Sequence, residues 1–600
     1  MPLQTTPPPA DQREGDGVHR DPPDSLVSWM IRPDPFEGMA IPPGAERVKL
    51  LGIYYLHFKM PDGGDLYVTK FGQTYLEQLK LQNWHEKEWF RAHREKLMGT
   101  STVYKVRSKE VDGRSINLVV KWCRVGEDVP LDTMGFNRFS EAEFNSPFEE
   151  FSLLMEMRER SVGKRIRTNR PLGIYVPPEE LELWQTGRSK SRITRKRNKY
   201  RDVELDILRQ YILIYEWVDG MSADEALLEA VSDPVERKRI MEQLMERSVA
   251  DMRENGFFVV DHKPAHIILR HRPDGTLLQN RRGEYPYALV DFELLLRTPE
   301  YESQVETARR KTYLEYQRVR FDEPEQLRLP EQLRPARVFG VDYVWGRAES
   351  THGEIWVVGR RPELFDFFLP ERWRHTPRQR LSTTAETFKT VSKDHIALVW
   401  KVSRVGETAA IQAPKPVAAA MKQHGYNSPF EEFALSMELA SLGFSVVYPR
   451  AIYVAGLESP RAADYVTDQR RFRSHAGLKN PEGGPLLTPL HTYLTLWGWW
   501  RGRVDEVGDP VVTPCSCIDM VRAVERELIT AEEQQRLLER TQTRLTEAGF
   551  ETFLKPSHGL LSLDNEGRLY RDEGGEPSIA LCNFELMHRL GKPGALDFPE

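Results

Sequence analysis

Apolar positions along this chain switch between strand-like runs and helix-spaced runs, and the switches predict an ordered series of elements. From Val48 the pattern is strand-like over Leu50 to Phe58 and over Asp65 to Lys70, with Pro61-Asp62-Gly63-Gly64 as the turn between them. A strand pair ending at Lys121 comes next, then a long loop and a helix from Ser146-Pro147 onward. Proline suits the first helical turn because its missing N–H has no intrahelical partner to lose there. Another strand stretch, Tyr211 to Trp217, ends at Asp219-Gly220. A long helix over Pro234 to Glu254 is stopped by Asn255-Gly256, a left-handed exit signal. Two short strands bracket Asp261 and Asp291, with Arg272-Pro273-Asp274-Gly275 turning between them. Strands, helix, strands, long helix and a polar hairpin is the predicted order.

That order then begins again. Val338 to Trp345 and Glu354 to Val358 open it around Thr351-His352-Gly353; Tyr493 to Trp500 and a helix over about Ala531 to Ala548, stopped at Gly549, follow. The residues repeat with the pattern. Asn145-Ser146-Pro147-Phe148-Glu149-Glu150-Phe151 returns as Asn427-Ser428-Pro429-Phe430-Glu431-Glu432-Phe433, and Leu118-Val119-Val120-Lys121-Trp122 returns as Leu398-Val399-Trp400-Lys401-Val402. Both lysine segments run on into Arg-Val-Gly-Glu. Val260-Asp261-His262-Lys263-Pro264-Ala265-His266 is answered by Thr552-Phe553-Leu554-Lys555-Pro556-Ser557-His558, and Val290-Asp291-Phe292-Glu293-Leu294 by Cys582-Asn583-Phe584-Glu585-Leu586. The lysines are 280 residues apart and the last acidic positions 292 apart, so a whole domain is duplicated rather than a short solenoid unit. We therefore expect a tail over residues 1–44, Pro-, Asp- and Gly-rich and disordered or loosely docked, a first domain over 45–332 and a second over 333–600. Two carboxylates of the first copy, Asp261 and Asp291, became Phe553 and Asn583 in the second, so they are dispensable for folding.

Composition narrows the function. Hydrophobic content of 40%, charged content of 29% and a net charge of −6 over 600 residues describe a globular chain with no general attraction to nucleic acid or anionic membrane. No apolar run approaches the length of a bilayer span, and the N-terminus does not read as a secretion signal. Four cysteines are too few for a disulfide framework, Cys515 and Cys517 lack partners at zinc spacing, and a reducing cytoplasm is the expected location. Arg188 to Arg201 holds eight Lys or Arg in fourteen residues. It could dock nucleic acid, a phosphorylated partner or a lipid headgroup. It reads more simply as a solvated loop balanced by the acids of Glu179 to Glu182, and sparse aromatics argue against single-strand binding. The tryptophans of Trp497-Gly498-Trp499-Trp500 could fill a pocket of the second copy or form an interface between the copies; core packing is the simpler expectation.

Taken in order, these residues resemble the protein-kinase-like phosphotransferase superfamily over most of both copies. The resemblance implies an α+β fold class: two tandem two-lobed protein-kinase-like domains. It implies that Lys121 binds the phosphates of ATP and pairs with a helix glutamate. Glu150 is the better partner, because Phe151, Leu153, Leu154 and Met157 follow it at the apolar spacing of that family's helix; Glu149 is its rival. Asp261 would orient or deprotonate an acceptor hydroxyl, and Lys263 would steady the moving phosphoryl group. Asp291, in Asp291-Phe292-Glu293, would bind Mg²⁺, which wants hard oxygen ligands. His266 stands where the family has asparagine; it could bind Mn²⁺, hold Asp261 by a hydrogen bond, or mark lost activity. Gly99, Thr100 and Ser101 would lie in the nucleotide-covering loop, with one glycine where the family often has three. Leu381 to Ala385 of the second copy has none. No substrate lobe of full length fits after Asp291, which points to the abbreviated bacterial branch similar to lipopolysaccharide-core sugar kinases. The first copy is then a candidate ATP- and Mg²⁺- or Mn²⁺-dependent phosphotransferase for a small-molecule or protein acceptor. The second is a pseudokinase packed against it, and the rival class is a wholly non-catalytic scaffold.

Overall fold

The computed structural model describes residues 33–97, 102–123, 145–160, 166–179, 209–322, 329–349, 351–374, 376–383, 385–409, 419, 422–456, 466–500, 516–564, 566–571, 575–577 and 579–590. The architecture is mixed α+β, built around two eight-stranded antiparallel sheets. The first contains β1 (Ala45–Leu50), β2 (Ile53–Lys59), β3 (Asp65–Val68), β4 (Arg94–Lys96), β5 (Val103–Arg107), β6 (Asn117–Cys123), β7 (Pro171–Val176) and β8 (Tyr211–Glu216), in the order β1-β2-β3-β7-β8-β6-β5-β4. The second contains β9 (Arg334–Val338), β10 (Val341–Ala348), β11 (Gly353–Val358), β12 (Arg378–Arg380), β13 (Thr387–Val391), β14 (Ala397–Val402), β15 (Tyr448–Val454) and β16 (Tyr493–Gly498), in the order β9-β10-β11-β15-β16-β14-β13-β12. Strand for strand the two orders are the same, so the repeat seen in the residues is also a repeat of topology.

One difference from the sequence pattern concerns the first strands. The run Leu50 to Phe58 is broken by a tight turn at Leu51-Gly52, both with positive φ (48° and 79°), and β1 folds back on β2. Phe339-Gly340 does the same in the second copy (49° and 80°). Hairpin turns with two left-handed residues usually announce themselves with Asn or Asp before Gly. Here an apolar residue takes that place, and Leu51 is buried in the core.

Both faces of the first sheet are covered. Ile212 and Ile214 of β8 pack with Leu79, Trp84 and Phe90 on one face, while Tyr211, Leu213 and Tyr215 point to the other, beneath helix α1 (Pro147–Glu159). Residues 33–44 of the expected tail are docked, with Phe36 fully buried in the first of these clusters; residues 1–32 lie outside the described set, as do Gly99, Thr100, Ser101 and Arg188 to Arg201. Below the first sheet lie α2 (Pro234–Glu254), where the sequence predicts it, and two small sheets. One pairs Phe257–Val259 with Leu295–Arg297, and the other joins Tyr287–Leu289, Ile267–Leu269 and Met221–Ser222. The second copy matches with α4 (Pro429–Ser441), α5 (Ala531–Glu547) and small sheets of its own. Trp497 and Trp500 are buried in its core with Phe433 and Phe584. Among the described residues no helix is long and apolar enough to cross a membrane.

Sequence patterning does not anticipate α3 (Pro299–Arg318), a twenty-residue helix that follows Asp291 and leads to the second copy. Its buried face joins the copies. Tyr313 packs edge-on against Phe367 and Phe368 of the second copy, and one hydrophobic cluster runs from α1 through α3 into the segment Pro362–Phe368. Arg309 donates to Asp394, which is fully buried in the turn between β13 and β14; Arg372 lies 3.7 Å from the same carboxylate. Burial pushes the Asp394 carboxyl up, and Arg309 and Arg372 outweigh it, holding it below the usual carboxylate range. Removing one partner of a buried ion pair leaves the other uncompensated, at a cost of about 3–5 kcal/mol. Asp394→Ala should therefore lower the unfolding free energy in urea by about that amount, whereas Asp394→Leu combined with Arg309→Met should recover most of it. Equal losses in the single and double variants would show that the pair itself is not what holds the joint.

Candidate functional site

The repeated heptapeptide Asn-Ser-Pro-Phe-Glu-Glu-Phe is a device for starting a helix at a fixed place, and each residue has its own task. Ser146 caps α1 by accepting from Glu149 N at 3.3 Å, and Glu149 Oε2 accepts from Ser146 N at 3.0 Å, a reciprocal capping box with Pro147 in the first turn. Asn145 reaches the Asp291-Phe292-Glu293 loop: its N–H donates to Glu293 O at 3.0 Å and its Nδ2 to Leu295 O at 2.9 Å. In the second copy Asn427 repeats these bonds to Glu585 O, Phe584 O and Met587 O. The helix start and the loop are thus locked together in both copies.

This lock presents Glu150, not Glu149, to the lysine of β6. Glu149 is taken by the cap and by Lys393 of the second copy, 2.7 Å away. Glu150 is fully buried, with Oε1 3.7 Å from Lys121 Nζ and accepting the hydroxyl hydrogen of Tyr215. Lys121, 5% exposed, also lies 2.7 Å from Asp291 Oδ1 and 3.0 Å from Glu293 Oε2. Glu293 is a partner that motif reading passes over. Its signal was in the sequence all the same, since Glu585 survives in the second copy although Asn583 two residues earlier has lost its charge.

One ammonium therefore faces three carboxylates in a buried space. Burial lowers the Lys121 pKa, but Asp291, Glu150 and Glu293 outweigh it and keep the amine charged. Burial raises Glu150 to about 7, only partly opposed by Lys121 and the Tyr215 hydroxyl. For Asp291 burial acts upward, and Lys121 and His266 reverse it. Asp291 is held at φ 68°, a left-handed conformation uncommon for a side chain other than glycine and typical of places where structure over-determines a functional group. His266 Nε2 stands 3.5 Å from Asp291 Oδ2, so the imidazole faces Asp291 and not Asp261. Asp261 and Lys263 pair with each other at 2.5 Å on the loop leading into His266. Among the described residues no side-chain hydrogen bond or ion pair joins them to Lys121, Glu150, Asp291 or Glu293, and no group of three or more His, Cys, Asp or Glu is arranged to hold a metal ion.

The second copy carries the same cluster minus one charge. Lys401 contacts Glu432 Oε2 at 3.0 Å and Glu585 Oε1 at 2.9 Å. Asn583 faces His558, Nδ2 to Nε2, at 3.3 Å, and is not among the positive-φ residues. Trp497 takes the place of Tyr215 opposite the lysine strand and gives its N–H to Thr495 at 2.9 Å, leaving Glu432 to bond the lysine directly. Phe553, at the position of Asp261, has no proton to exchange.

The raised pKa of Glu150 has a consequence for stability. Between the ordinary glutamate value of 4.5 and about 7, the folded chain holds a proton that the unfolded chain has released. Stability contributed by this group is thus complete below pH 4.5 and lost as pH rises through 7. Relative to Glu150→Gln, the natural chain should lose up to about 3 kcal/mol over that window, read from urea unfolding at a series of pH values. A gap between the two proteins that does not change with pH would mean that Glu150 is ionised throughout. No protein-family model matches this chain, and no curated protein matches it.

Proposed function

We propose that the first copy is an ATP- and divalent-metal-dependent phosphotransferase of the protein-kinase-like type, and that the second is a pseudokinase that holds it in shape. The observation that carries this reading is the charge imbalance at Lys121: three carboxylates surround one lysine in the first copy, against two in the second, where Glu432 is also raised to about 7. A buried excess of negative charge calls for a further cation. Asp291 and His266 would hold it. A carboxylate oxygen suits Mg²⁺ and Mn²⁺ alike, the softer Mn²⁺ accepts an imidazole more readily than Mg²⁺ does, and phosphate oxygens and water commonly complete such a shell. The metal would supply charge neutralisation for the triphosphate.

The remaining roles fall to this chain's own side chains. Lys121, fixed by Glu150, would bind the phosphates. Asp261 would accept the proton of the acceptor hydroxyl as the new O–P bond forms and the bond from γ-phosphorus to the ADP oxygen breaks, with Lys263 steadying the group in transit. The acceptor is a hydroxyl-bearing small molecule or a protein. A wholly non-catalytic, scaffold reading is favoured by one observation of its own: Lys121 Nζ is 2.7 Å from Asp291 Oδ1, on an oxygen that a metal would use.

Thermal stabilisation of the full chain by ATP, with and without Mg²⁺ or Mn²⁺, separates the two. At about 100 times its dissociation constant a ligand adds roughly 2.7 kcal/mol to the unit that binds it. A metal-dependent shift that disappears in Asp291→Asn, with ATP consumption lost in Asp261→Asn, is expected of the phosphotransferase. No shift with any nucleotide would leave the scaffold.

A further inference from the structure

A concave site lies in the first copy, lined by none of the residues of the Lys121 cluster. It is a cavity of about 480 Å³ walled by the end of α1, the segment before β7, the connection after β8 and the edge of the small three-stranded sheet. Among the described residues four arginines line it, Arg158, Arg167, Arg170 and Arg270, against two acids, Glu216 and Asp219, an excess of two positive charges. The protein commits Arg158, and the other three only in part or not at all. Arg158 donates to Thr168 O at 2.9 Å, to Thr168 Oγ1 and to Asn169 O, and lies over the Phe71 ring. Arg170 Nε lies 3.4 Å from Glu216 Oε2, and Arg270 Nε donates to Asp219 O at 3.1 Å. The guanidinium of Arg167 is exposed and has no hydrogen bond or ion pair among the described residues.

The duplication supplies a control for whether the fold needs these charges. Strand register and helix alignment place Ala440, Ser445, Tyr448 and Ser562 of the second copy at the positions of Arg158, Arg167, Arg170 and Arg270. All four cations are absent there, while the strands that carry them are built alike. A guanidinium presents paired N–H groups in the geometry of phosphate oxygens, and a phosphate monoester carries about −1.5 to −2 charge at neutral pH. The volume lies within the range of small-molecule pockets.

We propose that this cavity binds a small molecule bearing a phosphate monoester, through Arg167, Arg170 and Arg270. The wall segments lead directly to the other site: Arg158 is two turns along α1 from Glu150, Glu216 follows Tyr215, and Tyr287 and Ala288 precede Asp291 by a few residues. The inference concerns binding alone and stands whether or not the first copy transfers phosphate.

Calorimetric titration of the full chain, free of nucleotide and metal, with ribose 5-phosphate, inorganic phosphate and unphosphorylated ribose tests it. Ribose 5-phosphate should bind, ribose should not, and a comparable affinity for inorganic phosphate would assign recognition to the phosphate alone. Arg167→Glu and Arg270→Glu, both on exposed side chains, should each weaken binding at least about tenfold with unchanged far-UV spectra, and Lys263→Ala, which removes an exposed cation on the loop of Asp261, should leave it intact. The proposal is overturned by absence of binding at millimolar ligand, by equal binding in both charge reversals, or by loss of binding in Lys263→Ala.

Discussion

A lysine ammonium with almost no water around it organises each half of this chain. Removing such a group from water is expensive unless carboxylates come to it, and they are delivered from two remote segments: Glu150 and Glu293 to Lys121, Glu432 and Glu585 to Lys401. Much of the local structure follows from that delivery. The capping box sets where α1 and α4 begin, the asparagine before each cap ties the helix to the loop bearing the second glutamate, and the β-sheet register sets the lysine opposite them. This is why the heptapeptide and the lysine strand are the best-kept parts of the repeat: they answer a folding requirement before any chemical one.

Because that requirement is met equally in both copies, the differences between them isolate what folding does not demand. Asp291 against Asn583, Asp261 against Phe553, Tyr215 against Trp497 and four arginines against Ala440, Ser445, Tyr448 and Ser562 all change charge or hydrogen-bonding capacity, while the strand order around them is constant. In the second copy the changes move toward neutrality and core packing; Trp497 stacks on Phe584 and meets Phe433 edge-on. In the first they leave a carboxylate and several guanidinium groups without a structural counterpart, at two separate places.

Much of this was legible in the sequence because it is local. Ser-Pro before a helix-spaced run, Asn-Gly after one, and Lys121, Glu150 and Asp291 in order each mark an element or a side chain within a few residues of its signal. What escaped depends on contacts between distant segments. The turn at Leu51-Gly52 has no polar turn residue because its Leu51 side chain is buried in the core. Helix α3 is highly charged, and its purpose, joining the two copies, has no counterpart in the second copy's described residues. Glu293 is an ordinary residue until β6 brings Lys121 beside it. The burial of Asp394 is equally invisible, since its partners come from 85 residues away on α3 and from Arg372.

These long-range contacts converge on α1. Lys393 pairs with Glu149 in its first turn, Ser152 donates to Leu51 O at 2.7 Å one turn on, and Leu51 N donates to Asp366 Oδ1 of the second copy at 2.9 Å. Arg309 of α3 bonds Asp394 and lies 3.8 Å from Asp366, closing the circuit. The helix that carries Glu150 is therefore gripped on one side by the loop of its own Asp291 and on the other by the second copy. Glu149 makes the point most directly, because its two oxygens are divided between the cap of α1 and the lysine of the other domain, leaving Glu150 as the residue turned inward. A second copy that has shed its own acids can still be indispensable on these terms: its surface, not its site, is what α1 rests against.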